Sequence, residues 1–151
     1  VIIKKVIPIS MILFFLIGCQ ATSMEQPNDE EPSYTKLSTQ NEFDQQLSNQ
    51  VKEYLKDNKD LTSVQAVNDE EKILITFEIP HMKRFKLADI RKELKKDIKE
   101  KFQIKKVEVS TDQKVILELD KLEEEIQDKS VNKNELKKEL KRIIKLSKKQ
   151  T

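Results

Sequence analysis

Tryptophan is absent from the chain, and glycine, cysteine and histidine occur once each, as Gly18, Cys19 and His81. Each scarcity removes a class of chemistry. A loop that cradles phosphate needs glycines so that the backbone can approach its ligand, and beyond Gly18 there are none. A single cysteine closes no intramolecular disulfide, so no such staple holds the fold and cysteine usage does not set the redox compartment. Nucleophilic catalysis of the Ser/His/Asp type would have to be built on His81, in "IPHMKRF" just after a strand. A lone loop histidine reads there as a solvated side chain rather than a base or a metal ligand. Long apolar runs are scarce too: "VIPISMILFFLIG", Val6 to Gly18, falls short of the roughly 20 residues that span a bilayer as a helix.

What the chain has in abundance is charge. Of 151 residues, 37% are charged and 36% hydrophobic, enough for one small domain with tails if the apolar residues are concentrated. The net charge of +2 hides an asymmetry, because residues 129–151 carry nine Lys or Arg against Glu135 and Glu139 while residues 19–128 are acidic. The acidic clusters Asp69, Glu70, Glu71 and Glu123, Glu124, Glu125 lie in runs of charge. An acid/base pair needs one desolvated carboxyl, and these are expected to be solvated faces. No cofactor and no metal site is expected, since no ligand loop of spaced oxygens is present either.

The two rare residues stand together in "FFLIGCQ". "VIIKK" and the apolar run have the form of the basic and hydrophobic regions of an export signal, and Leu16, Ile17, Gly18 and Cys19 look like the lipobox of bacterial lipoproteins. In that class the cysteine sulfur takes a diacylglyceryl group and the signal is cut just before it, which accounts for a small residue at position 18. Two acyl chains anchor stably where one holds marginally. The alternatives are an uncleaved signal anchor or a plain secretory signal with a leftover thiol. The expected organisation is a signal at 1–18, an acylated, disordered tether at 19–40, an α+β domain at 41–128 and a basic amphipathic helix at 129–151.

Within the domain, Thr39 and Glu42 have capping-box spacing, and Phe43, Leu47, Val51, Tyr54 and Leu55 recur at helical intervals, predicting a helix over 42–57. "SVQAV" and "KILITFEI" predict strands over 63–67 and 72–79. In the second, Ile73, Ile75, Phe77 and Ile79 alternate with Leu74, Thr76 and Glu78, the period of a sheet with one buried face. Pro80 stops it. Leu87, Ile90, Leu94, Ile98 and Phe102 predict a helix over 86–102, and "IKKVEVS" a third strand. Residues 112–119 fit either a continuing strand or a helix capped by Asp112 or Thr111, with Glu123 to Glu125 favouring the helix. A last helix over 133–147 starts at Asn132 and Glu135 and carries Leu136, Leu140, Ile143 and Ile144 as its apolar stripe. The order αββαβα predicts helices in one layer on a three-stranded mixed sheet, with the third strand parallel to the second across the helical crossover.

From about residue 43 to 127, together with the lipobox and the polar tether, this pattern resembles the YhcN/YlaJ-type sporulation lipoproteins of endospore-forming bacteria. "VKEYLKDNKDLTSVQAV", "KILITFEI", "LADIRKELKKDIKEKF" and above all "IKKVEVSTDQKVILELDKLEEEI" carry the likeness. The αββαβ core also looks like the BON domain, a module linked to cell-envelope and phospholipid association. The resemblance offers no catalytic residue. It implies a non-enzymatic protein on the extracytoplasmic face of the cell membrane, in the forespore or spore inner membrane, connected with germination or outgrowth.

The basic C-terminal helix leaves two readings open. Lys133, Lys137, Lys138, Lys141, Arg142, Lys145, Lys148 and Lys149 could meet anionic lipid headgroups or a wall polymer, with the helix lying on the surface. Alternatively the apolar stripe packs on the domain and the lysines meet its acidic body. Nucleic acid is not an expected partner, because an exported protein seldom meets it.

Overall fold

The computed structural model describes residues 31–38 and 43–149. Cys19, the signal, most of the tether and the Thr39–Glu42 capping box lie outside the described residues. The elements are α1 (Gln46–Leu55), β1 (Ser63–Asn68), β2 (Lys72–Glu78), a 3-10 helix (His81–Lys86), α2 (Leu87–Lys101), β3 (Lys106–Ser110), α3 (Gln113–Gln127) and α4 (Lys133–Ser147). The fold is α+β, and the ambiguous stretch after residue 112 is helix. Asp112 decides it, its carboxylate accepting from the N–H groups of Lys114 and Val115 and satisfying two of the donors a helix start leaves open. At α4, Asn132 and Glu135 form a full capping box.

The sheet has the order β1-β2-β3. β1 and β2 are antiparallel with Ser63 opposite Glu78, and β3 runs parallel to β2 with Ile73 opposite Val107. Asp69 closes the β1–β2 hairpin without glycine: its side chain accepts from the N–H groups of Glu71 and Lys72 at 2.8 and 3.0 Å.

Helices cover both faces of the sheet, not one. Ile73, Ile75 and Phe77 of β2 pack with Val64, Ala66 and Val107 against Val51 and Leu55 of α1 and Ile90, Leu94 and Ile98 of α2. On the other face Val67 and Leu74 pack under Val115, Leu119, Leu122 and Ile126 of α3 and Leu136, Leu140, Ile143 and Ile144 of α4. The alternation in β2 pointed to one buried face, yet Leu74 and Thr76 are fully buried as well. Thr76 tolerates this because its hydroxyl donates to Gln65 Oε1 at 2.8 Å, so no polar group is left bare. Of the two readings of the C-terminal helix, the structure has the packed one. Its apolar stripe is part of the core and cannot also lie in a membrane.

α1 begins later than residue 42, because Gln45 is drawn away from the helix to the outer edge of β1. Its side-chain amide donates to Asn68 O at 2.7 Å and accepts from Asn68 N at 3.2 Å. The rest of that edge is closed as well. The Val64 N–H donates to Ser33 O at 2.9 Å, the Ser33 N–H to Thr62 O at 3.0 Å, and the Ala66 N–H to Glu123 Oε1 at 3.0 Å. An open strand edge invites pairing with another chain, and here a short segment and two side chains block it. Residues 34–37 continue along α1: Tyr34 donates to Glu53 at 2.6 Å, and Leu37 and Asn49 exchange two bonds of 2.7 Å.

Candidate functional site

The surface the sequence singles out is α4. With about 100° per residue, Lys138, Lys141 and Lys145 form a narrow stripe on the side opposite Leu136, Leu140 and Ile143. Lys149 extends it just past the helix end, and all four lysines are exposed.

The eight basic residues proposed for this surface divide into two groups. Lys133 pairs with Glu70 at 2.5 Å, Arg142 with Glu118 at 2.5 Å and Glu139 at 2.6 Å, and Lys148 with Glu108 at 2.8 Å. These three residues meet the acidic body. Among the described residues, Lys137, Lys138, Lys141, Lys145 and Lys149 make no ion pair. Lys137 stands close enough to Glu70 and Glu71 to help lower their pKa, after the direct partners Lys133 and Lys106. What remains facing outward is the stripe of Lys138, Lys141, Lys145 and Lys149.

The carboxylates are not uniformly solvated. Glu124 and Glu125 are exposed, but Glu123 is 4% exposed and pairs at 2.9 Å with Lys52, itself fully buried. The expectation of a solvated acidic face therefore fails at Glu123, and also at Asp69, whose side chain is 6% exposed and pairs with Lys72 at 3.1 Å. Lys52 also donates to Thr35 O. Burial lowers the Lys52 pKa against the attraction of Glu123, and burial raises that of Glu123 against Lys52 and the Ala66 N–H. Bonded within the fold to Thr35 O and the Ala66 N–H as well as to each other, this pair is an internal clamp between α1, α3 and the β1 edge. A signal for it was present, because Lys52 lies beside Val51 and one turn before Leu55, and Glu123 lies in phase with Leu119 and Ile126, on the buried stripes of their helices.

Glu53 holds a second, exposed cluster. Hydrogen bonds from Lys56, Tyr34 and Lys36 bring its pKa from 4.5 down to about 2. A carboxylate with a depressed folded pKa contributes stability above its unfolded value, and that contribution is lost as pH falls through the folded one. The docking of residues 34–36 on α1 is therefore expected to loosen between about pH 4.5 and 2. The side-chain carboxyl carbon of Glu53, followed by NMR titration, should report a midpoint near the lower figure, and a midpoint at the ordinary value would contradict the cluster.

His81 opens the 3-10 helix and is exposed. Among the described residues no group of three or more His, Cys, Asp or Glu is arranged to hold a metal ion, and no helix is long and apolar enough to cross a membrane.

No match was found among curated proteins or among solved structures. Comparison with protein families matches residues 19–145 to the family described as Sporulation lipoprotein YhcN/YlaJ, with Cys19 as the first matched residue. The match spans both sheet-covering helix layers and α4 up to Lys145. With this match running through most of the chain, the αββαβα sheet and helix arrangement is that of a protein belonging to the YhcN/YlaJ family of sporulation lipoproteins.

Proposed function

We propose that the protein is a non-enzymatic envelope lipoprotein of the sporulating cell, held on the extracytoplasmic face of the membrane, in the forespore or spore, by a diacylglyceryl group on Cys19 and acting in germination or outgrowth. The family match, running from Cys19 through the folded domain, is the observation that carries this reading. Its first test is palmitate labelling in cells making the protein. Label is expected on the wild-type chain and not on Cys19→Ala, and negligible label on both would remove the anchor.

A second reading concerns what the domain binds. The outward stripe of Lys138, Lys141, Lys145 and Lys149 favours a polyanion, either lipid headgroups or a wall polymer, held by charge alone because the apolar face of α4 is spent in the core. Charge-reversing the four lysines to Glu is expected to abolish salt-sensitive co-sedimentation with anionic vesicles or wall polymer, since such binding is screened over about 10 Å at 0.1 M salt. The melting temperature should move little, because exposed charges away from core and caps typically change stability by about 0.5 kcal/mol or less each. Unchanged binding would exclude the stripe.

A further inference from the structure

The crossover from β2 to α2 carries two of the most exposed apolar side chains among the described residues. Met82 is 86% and Phe85 80% exposed, in the 3-10 helix "HMKRFK". No side chain of this helix is buried, so Met82 and Phe85 contribute nothing to the core. Their neighbours His81, Arg84 and Lys86 are exposed, and the helix contains no acid. The acids closest in the chain and the sheet are engaged or displaced: Asp60 by Lys83 at 2.7 Å, Glu78 by the Ser63 hydroxyl at 3.0 Å, and Asp89 a turn further on in α2. Exposed Met and Phe among cations form the amphipathic pattern that enters the boundary between headgroups and acyl chains.

The topology says which surface this loop faces. Ser63 begins β1 and Glu78 ends β2, so the 3-10 helix leaves the end of the sheet where β1 starts. Ser33 bridges to Ser63 in parallel at that same end, and the chain before it therefore departs there too. The acidic hairpin Asp69–Glu71 closes the opposite end, about 20 Å away along β2. The chain entering at Ser33 and the loop thus share one end of the domain, and the Asp69–Glu71 hairpin lies at the other.

We infer that the loop Met82–Lys86 is a membrane-docking element, inserting Met82 and Phe85 into an anionic lipid surface while Arg84 and Lys86 contact its headgroups. The inference rests on the anchoring of Cys19, which points the shared end of the domain toward the bilayer. Docking at this end fixes the orientation of the domain on the bilayer.

Because the chain has no tryptophan, Phe85→Trp supplies a single fluorescent reporter. The whole protein is purified from membranes and reconstituted into vesicles of phosphatidylglycerol and acyl-brominated phosphatidylcholine. A blue-shifted, bromine-quenched emission is expected for Phe85→Trp, and neither change for Lys105→Trp in the exposed loop at the hairpin end. Adding Arg84→Glu and Lys86→Glu should remove the quenching. In the otherwise wild-type sequence, Met82→Ser and Phe85→Ser should each lower the fraction of domains protected from added protease at the membrane surface by up to about tenfold. Water-exposed, unquenched emission from Phe85→Trp overturns the proposal, as does a blue shift that grows with protein concentration without lipid, which would assign the patch to a second copy of the chain. If palmitate labelling fails, the same reporter is read after adding the protein to vesicles from outside, so the anchor and the loop fail by separate measurements.

Discussion

Replacing Lys52 with alanine is expected to cost about 3–5 kcal/mol of stability, the usual penalty for leaving one member of a buried ion pair behind. For a domain of this size that corresponds to a fall in melting temperature of more than about 10 °C. The cost arises at Glu123, which is 4% exposed and loses the Lys52 ammonium while still accepting from the Ala66 N–H. Thr35 O loses its ammonium donor at the same time. The loss should shrink on acidification. Burial already raises the Glu123 pKa against the pull of Lys52, and without Lys52 it rises further. The folded state then holds a proton that the unfolded chain has released, so stability falls as pH rises above the ordinary carboxylate value and recovers below it. Urea denaturation at pH 5 and pH 8 measures both effects. A change below about 1 kcal/mol would mean that water reaches the pair. Lys52→Met with Glu123→Gln should recover most of the loss, because Gln keeps an acceptor for Ala66 and Met refills the volume without a charge. Lys52→Met with Glu123→Leu should recover less, since it strips the β1 edge of its acceptor.

Deleting residues 129–151 is expected to unfold the domain, not merely to remove a basic tail. Val131, Leu136, Leu140, Ile143 and Ile144 are each 8% exposed or less and share one cluster with α3, Val67 and Leu74. Losing a single buried Leu or Ile to Ala costs about 2–5 kcal/mol, and whole domains are stable by only about 5–15 kcal/mol. The truncated chain should therefore lose its cooperative melting transition and expose the second face of the sheet to dyes that bind apolar surface. A truncated chain that still melts cooperatively near the parent temperature would contradict the packing of α4. It follows that truncation cannot test polyanion binding through the lysine stripe. Charge reversal at Lys138, Lys141, Lys145 and Lys149 can, because these side chains stand outside the core.

Much of this arrangement was legible in the chain, and what escaped did so for identifiable reasons. Helices α2 and α4 came through almost residue for residue because their apolar positions keep the helical period against a charged background. β3 lay parallel to β2 because a single helix joins them. The second covered face was hidden by β2 itself, where Thr76 and Leu74 looked like the outer half of an alternation. A hydroxyl bonded across the strands is not distinguishable in sequence from one bonded to water. Lys52 and Glu123 were hidden by their charge, since a run such as Glu123 to Glu125 suggests solvent even when one member lies on the buried stripe. The eight basic residues of the C-terminal segment were alike in sequence. Only the positions of Glu70, Glu118 and Glu108 in the fold separate those spent on internal pairs from those left outward. Met82 and Phe85 belonged to a short loop without period, so their exposure became visible only with the fold.

Were the domain hung from Cys19 as proposed, the clip at Ser33 would decide how mechanical load enters. Tension along the tether reaches the folded part through the two backbone bonds that Ser33 makes with Thr62 and Val64, then through Tyr34, Thr35 and Leu37 on α1. These contacts are arranged in series, so a pull from the end of the sheet peels them one after another instead of shearing the β1–β2 ladder. Under such a load the strap of residues 33–37 is expected to yield before the sheet, leaving Val51, Phe77 and the rest of the interior packed.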